Sequence, residues 1–131
     1  MHYNSNRPIL FNENILINKV RQIYYNAKAR ANKQDLEFNI DYNWIYNNIS
    51  SMKCQLTGID LNINYNSGGV VQYNSISIHR IKPNLGYVKN NCLIINNALN
   101  MFISNHNIED ILYLSQLIVN NNNYILQKHI N

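Results

Sequence analysis

Apolar residues recur every three or four positions in the first part of the chain, at Leu16, Val20, Ile23 and Ala27. This spacing predicts a helix that begins near Asn12 or Asn14, both acceptable N-caps, and runs to about Asn32. Residues 1–11 contain Pro8, which disfavours helix before it, so an extended arm is expected there.

A second helix is predicted after Asp41, another good N-cap, within a helical N-terminal region that spans 12–52. In its sequence, YNWIYNNISSM, we expect Trp44, Ile45 and Ile49 to face inward. The alternating LEFNI just before Asp41 indicates a short extended segment.

Residues KCQLTGIDL, 53–61, predict a strand followed by a turn at Gly58. The next stretch, 62–74, is polar and predicts a loop with a turn at Gly68 and Gly69. No residue of that loop stands out as catalytic.

The segment SISIHRIKPNLGYVKNNCLIINNALN, residues 75–100, begins with strict alternation. Alternation predicts a strand, which Pro83, Asn84 and Gly86 then break. The two faces of this strand are expected to be Ile76, Ile78 and Arg80 on one side, and Ser77, His79 and Ile81 on the other.

A short apolar run at 92–95 predicts a second strand, and Asn96 or Asn97 can start a helix that carries Asn100. The order strand, loop, strand and helix brings a side chain of the first strand close to one on the helix. That is the geometry a single-metal phosphodiesterase needs, because one cation and one neighbouring polar group must act on the same phosphate.

Asn107 is the expected N-cap of a last helix over about 108–120, and Glu109 and Asp110 in its first turn suit the helix dipole. This helix and the tail after it form a C-terminal region, 105–131. The residues expected on one face of the helix are Ile111, Leu112, Ser115, Ile118 and Val119.

Asparagine, isoleucine and tyrosine make up 58 of the 131 residues, with 28, 20 and 10 copies. All three have AT-rich codons, so the bias indicates an AT-rich genome such as that of a phage, a large virus, an organelle or a parasite. Because Asn is so common, a single Asn points to chemistry only where its position supports it. With no repeat or linker, the chain is expected to fold as one small α+β domain, 1–131.

The formal net charge is +4 and the pI is about 9.1, from 11 Lys and Arg against 7 Asp and Glu. This mild excess favours a polyanionic partner, although a moderately basic protein without one fits the charge equally well. The first helix is the most basic element, and its cations either contact phosphates or form a solvated face. They are Lys19, Arg21, Lys28, Arg30 and Lys33.

Cys54 and Cys92 lack CxxC spacing, cannot form a four-ligand zinc site and are weak evidence for a disulfide. The N-terminus lacks the charged and apolar regions of a signal peptide, and no run approaches the length of a membrane span. These features predict an intracellular protein, in the cytoplasm, an organelle or a virus-infected cell, that is neither secreted nor in a membrane.

Many residues of the 75–100 segment match one known pattern without a gap. They are Ser77, Ile78, Arg80, Ile81, Pro83, Gly86, Tyr87, Asn91, Ile95 and Asn100, preceded by Cys54-Gln-Leu-Thr57-Gly58. The pattern resembles the HNH endonucleases, or ββα-metal nucleases, in the branch that reads S-I-D-R-I-D-P-x-x-G-Y-x-x-x-N-(apolar run)-x-x-x-N-x-x-K after C-x-x-T-G. The resemblance covers about 53–104 and implies a ββα-metal core flanked by helices.

The resemblance also implies a role for each matched polar residue. His79 stands at the position of a metal-ligand Asp, and Asn100 at that of the second metal ligand. Arg80 stands where other branches carry a general-base histidine, and would bind the phosphate and help to order the water. Tyr87 would contact the phosphate or the water, and Asn91 would brace the metal loop by backbone hydrogen bonds.

The chain departs from the pattern where His79, Lys82 and Ile103 replace Asp, Asp and Lys. Because imidazole is softer than carboxylate and uncharged, a His79/Asn100 pair suits Zn²⁺, Ni²⁺ or Mn²⁺ better than Mg²⁺. Alternatively His79 is the base and Asn100 alone binds the metal, or His79 is a structural strand residue with a backbone partner. The histidines outside the pattern are expected at the surface: His2, His106 and His129.

Two functions follow from the resemblance. The first is an endonuclease that hydrolyses nucleic-acid phosphodiesters, DNA rather than RNA, with one divalent metal ion (Mg²⁺, Mn²⁺, Ni²⁺ or Zn²⁺). The second is a catalytically degenerate HNH-fold subunit that binds nucleic acid within a larger assembly, and a protein-binding module is a third use of the fold. The residues expected to contact nucleic acid are Arg21, Lys28, Arg30, Lys33, Lys82 and Lys89.

Overall fold

The computed structural model describes residues 13–63, 72–104 and 106–121. The chain divides into two compact units, Met1–Met101 and Phe102–Asn131, which we describe one after the other. Several predictions fall outside the described residues: the arm at 1–11, the cap at Asn12, the turn at Gly68 and Gly69, and the surface positions of His2 and His129.

The first helix, α1 (Glu13–Gln34), confirms the predicted helical spacing. Leu16 and Ala27 are fully buried on the face that the spacing indicated. Lys19 lies at the margin of that face and is only 8% exposed, so most of its side chain is buried. Its Nζ donates to Gln22 Oε1 at 3.1 Å, which gives the buried ammonium group a partner.

The second helix, α2 (Tyr42–Ile49), begins at the predicted cap, because the Asp41 carboxylate accepts a hydrogen bond from the Trp44 N–H at 2.8 Å. It ends earlier than predicted, and Met52 follows in the left-handed region with φ 56°. Tyr46, which was not predicted to face inward, is 3% exposed. Of the three residues predicted to face inward, Ile45 and Ile49 are fully buried and Trp44 is partly buried.

Two strands form an antiparallel pair, β1 (Ile76–Arg80) and β2 (Cys92–Asn96), in the register that opposes Ile78 to Ile94. A third helix, α3 (Asn97–Ile103), follows β2 directly, as the sequence predicted. Ile94 is fully buried, so the sheet supplies part of the core. The described residues therefore form a mixed α+β structure, which confirms the predicted class.

The predicted strand at 53–61 is wrong. Lys53 and Asp60 form a single antiparallel bridge there, and their side chains make an ion pair. Gly58 supplies the bend as expected, with φ 77°. The backbone bonds from Cys54 N to Ile59 O and from Leu61 N to Met52 O flank this bridge, but the pairing does not extend into a strand.

In the second unit, α4 (Ile108–Asn121) has the predicted N-cap, because Asn107 Oδ1 accepts from the Asp110 N–H at 2.9 Å. Of the residues predicted to share one face of this helix, Ile111 is the one that is buried among the described residues. Helical spacing shows where apolar residues lie and not whether another element covers them. No helix in the described ranges combines the length and apolarity needed to cross a bilayer. The exposed members of the face are Leu112, Ile118 and Val119.

Candidate functional site

His79 lies in β1, and the alternation of the strand places it on the same face as Ser77. The side chain is 7% exposed, and its Nδ1 lies 3.2 Å from Oδ1 of Asn100 on α3. The structure therefore brings together the two residues that were predicted as metal ligands. Ile81, predicted to share this face, lies beyond the strand and is exposed.

The amide of Asn100 is fixed by two further hydrogen bonds. Its Nδ2 donates to Ser77 Oγ at 2.6 Å and to the Ile78 carbonyl at 3.0 Å. Because a carbonyl oxygen can only accept, the amide nitrogen must face Ile78 and the amide oxygen must face His79. Nδ1 of His79 then carries the proton of their hydrogen bond, and Nε2 keeps its lone pair.

Burial holds the pKa of His79 below its usual value of 6.5, and the neighbouring Arg80 guanidinium lowers this pKa further. The hydrogen bond with Asn100 acts in the opposite direction but does not outweigh burial. His79 is therefore neutral at pH 7, which is the form required of a metal ligand or a general base.

The lowered pKa of His79 predicts a loss of stability in mild acid. Because the folded pKa lies below 6.5, the unfolded chain takes up this proton first as the pH falls. The contribution of His79 to the free energy of unfolding is complete above the unfolded-state pKa of 6.5, and it is lost as the pH falls toward the folded pKa. Urea denaturation from about pH 7.5 to pH 5 should show the loss, and His79→Gln should make it smaller. An equal loss in His79→Gln and in the exposed-residue control His106→Gln would contradict the prediction.

Tyr87 joins two arginines from different elements. Arg30 of α1 donates from Nε to the Tyr87 hydroxyl at 2.8 Å, and its guanidinium carbon lies 5.6 Å from the ring centre. The guanidinium carbon of Arg80 lies 5.0 Å from the centre of the same ring. The Nη1 atom of Arg80 donates to the Pro83 carbonyl at 2.7 Å and to Gln34 Oε1 at 3.3 Å. Tyr87 itself is 3% exposed, so the two guanidinium groups are better placed than the phenol to meet a phosphate.

Asn91 is buried and holds the loop between β1 and β2. Its Nδ2 donates to the carbonyls of Lys82 at 2.9 Å and Gly86 at 2.8 Å, and its Oδ1 accepts from the Lys82 N–H at 3.0 Å. All three bonds go to backbone atoms, which is the kind of contact that the resemblance implies for this residue. Asn91 thus fixes the shape of the loop that carries Tyr87.

The six cations predicted to contact nucleic acid do not lie on one face. Arg30 meets Tyr87, whereas Lys28, two residues earlier and so on the opposite flank of α1, lies 5.6 Å from the centre of the Tyr24 ring. Lys89 makes an ion pair with Asp41 at 3.1 Å, at the start of α2. The other three are exposed: Arg21, Lys33 and Lys82.

The His79–Asn100 pair can be tested as a metal site from its geometry. Adjacent ligands at about 2.1 Å from one metal lie roughly 3.0 Å apart in octahedral and roughly 3.4 Å apart in tetrahedral coordination. The 3.2 Å between Nδ1 and Oδ1 falls within this range, with the metal replacing the Nδ1 proton. Both donors are neutral, and no group of three His, Cys, Asp or Glu in the described ranges could form a ligand set. The pair thus fits a cation that takes its other ligands from water and phosphate.

Comparison with known proteins finds a relative described as an uncharacterized 29.0 kDa protein in the dda-modA intergenic region of Enterobacteria phage T4. It is 24% identical over 96 residues, and the match covers 73% of this chain but only 36% of the relative. No protein-family model and no solved structure matches the chain. A phage relative is compatible with the expectation of a virus-infected cell.

Two residues that shape the site had no predicted role. Ser77 anchors the Asn100 amide, and its place on the same strand face as His79 was a signal for this contact. Gln34 accepts a hydrogen bond from Arg80, which lies 46 residues away in the chain. No local pattern could indicate that second contact, because it exists only where α1 packs near β1.

Proposed function

We propose that this protein is an HNH-type endonuclease that hydrolyses phosphodiester bonds of DNA, rather than RNA, with one divalent cation held by His79 and Asn100. The observation that carries the proposal is the 3.2 Å approach of His79 Nδ1 to Asn100 Oδ1 within a strand–strand–helix unit. The neutral imidazole and the guanidinium groups of Arg30 and Arg80 support it. A ββα-metal core is part of the same proposal.

When bound, the cation would polarise the scissile phosphate and stabilise the leaving oxygen. The remaining tasks belong to side chains of this chain. Asn100 is anchored through its Nδ2, which keeps its Oδ1 directed at the site. Arg30 and Arg80 bind and orient the phosphate, since a guanidinium group matches two phosphate oxygens at once. Asn91 holds the loop that positions Tyr87 between them.

Cleavage of supercoiled plasmid tests the proposal, with Mg²⁺, Mn²⁺, Ni²⁺ and Zn²⁺ each supplied separately. The wild type should cut best with an ion that accepts imidazole, and His79→Ala and Asn100→Ala should each lose about 100-fold or more. His79→Asp restores a hard anionic ligand, so it should shift the preference toward Mg²⁺. Loss in His79→Ala together with this shift in His79→Asp would identify position 79 as a metal ligand.

The exposed His106 provides a matched control, and His106→Ala should cut like the wild type. DNA binding is measured for every variant by gel shift, so that lost cleavage is separated from lost binding. If the wild type does not cut with any of the four ions while DNA binding is intact, the endonuclease proposal is wrong.

A second candidate function is nucleic-acid binding without hydrolysis, as a subunit of a larger assembly. The neutral character of both donors at the His79–Asn100 pair favours it, because a site without a carboxylate binds Mg²⁺ weakly. The plasmid assay separates the two functions, since this one requires intact DNA binding and no cleavage by the wild type.

A further inference from the structure

A groove of about 290 Å³ lies between α1 and β1. Four consecutive residues, 75–78, line it on the strand side. Because successive side chains of a strand point to opposite faces, a run of four can line one groove only along the edge of the strand. On the α1 side Ile23 lines it together with four polar residues, which are Lys19, Gln22, Asn26 and Arg30.

The edge of β1 that borders this groove presents backbone groups. The Ile81 N–H donates to Asn91 O at 2.8 Å, so by antiparallel alternation the backbone groups of Ile76 and Ile78 point away from β2. The Ile78 carbonyl confirms this direction, because it accepts from Asn100. Asn62 forms a parallel bridge with Ser75 at the start of this edge, whereas the Ile78 N–H has no strand partner among the described residues.

The groove is rich in hydrogen-bond donors and contains no carboxylate. Its ten lining residues include the cations Lys19 and Arg30 and no Asp or Glu. Asn26 and Gln22 add side-chain amides, and Ser77 adds a hydroxyl. Cationic, amide, hydroxyl and backbone N–H groups are the donors that proteins use against the sugar–phosphate backbone of nucleic acids.

Both halves of the candidate site border the same groove. Ser77 lines it and also anchors the amide of Asn100 at 2.6 Å, which holds His79. Arg30 lines it and also donates to the hydroxyl of Tyr87 at 2.8 Å. A strand lying in the groove would therefore meet Ser77 and Arg30, each of which is hydrogen-bonded to a residue of the candidate site.

We propose that the groove between α1 and β1 binds the sugar–phosphate backbone of the nucleic-acid strand that leads to the His79–Asn100 pair. This role of the groove rests on the function proposed above. Lys19 and Arg30 supply the charge, and Asn26 and the β1 edge supply neutral donors. The volume lies at the lower limit of about 300–1,000 Å³ for small-molecule pockets, so the groove fits a segment of backbone better than a stacked base pair.

Fluorescence anisotropy of a labelled DNA duplex, measured in EDTA so that no cleavage occurs, tests this groove. Asn26→Glu places a negative charge in the groove and should weaken binding about 10-fold or more at low salt. Arg30→Gln removes one phosphate contact, so the plot of log K against log salt should become less steep, with the magnitude of its negative slope smaller by about 1. Asn32→Glu makes the same change on a part of α1 outside the groove and should bind like the wild type.

The outcomes distinguish the groove from the endonuclease. If Asn26→Glu and Arg30→Gln bind like Asn32→Glu while His79→Ala abolishes cleavage, the groove proposal is wrong and the proposed function stands. If the groove variants weaken binding but no ion supports cleavage, the groove stands and the endonuclease does not. A wild type that binds no DNA overturns both. Thermal denaturation of each variant confirms that it is folded, as expected for changes at the exposed Asn26 and Arg30.

Discussion

We expect Gly86→Ala to destabilise the protein by about 4 kcal/mol or more. Gly86 adopts φ 82° and ψ −166°, a region that side chains other than glycine rarely enter. A Cβ added there would lie 2.4 Å from the Glu37 carbonyl oxygen and 2.9 Å from the Glu37 nitrogen. Both of these atoms belong to the backbone, so no side chain can rotate to relieve the contact. The hydrogen bond from the Tyr87 N–H to the Glu37 carbonyl at 2.8 Å would therefore be strained or lost.

Gly58→Ala is the matched control that measures the cost of a positive φ without a close contact. Gly58 also has a positive φ, 77°, but nothing lies within 4 Å of the position where its Cβ would be. We expect it to cost only about 1–2 kcal/mol, the price of the left-handed conformation. Urea denaturation of both variants measures the difference, and equal destabilisation would show that the Glu37 contact contributes nothing.

The close approach at Gly86 also bears on the candidate site. The next residue, Tyr87, bridges to Phe38 and accepts from the Asn39 N–H at 2.9 Å, so the loop is attached to the segment after α1. That attachment sets the distance between Tyr87 and Arg30, which is on α1 itself. We therefore expect Gly86→Ala to weaken DNA binding even under conditions where the variant remains folded.

The elements that the sequence predicted well are those decided by neighbouring residues. Asp41 and Asn107 cap their helices as expected, because an N-cap needs only the N–H groups of the next turn. The order of β1, β2 and α3 was also predictable, since alternation, turn residues and an apolar run follow one another within one short segment. The 3.2 Å pairing of His79 with Asn100 is a consequence of that local order.

The features that could not be predicted depend on residues far apart in the chain. Arg30 and Tyr87 are separated by 57 positions, and nothing in either local pattern indicates that they meet. Lys19 carries a charge, so its sequence context favoured an exposed position, yet packing near β1 buries it. Lys28 and Arg30 lie on opposite flanks of α1, as helix geometry requires of residues two apart, but only the tertiary structure shows which aromatic ring each one meets.

Asn91→Asp is expected to destabilise the protein by about 3–5 kcal/mol at pH 7. The side chain of Asn91 is 4% exposed, and its Nδ2 donates to two carbonyls, those of Lys82 and Gly86. A carboxylate cannot donate, so the substitution would place a buried negative charge against two carbonyl oxygens and leave both without their partner. Only the bond from the Lys82 N–H would survive.

The pH dependence of this loss separates it from a simple packing defect. Burial against two carbonyls raises the pKa of the introduced carboxyl above the value of about 3.9 that it has in the unfolded chain. The folded variant therefore takes up the proton first as the pH falls, so its deficit relative to the wild type should shrink toward about pH 4. Asn90→Asp makes the same change at an exposed neighbour and should stay within about 0.5 kcal/mol of the wild type. A deficit for Asn91→Asp that does not change with pH would mean that lost shape complementarity, rather than the unpaired charge, destabilises the loop.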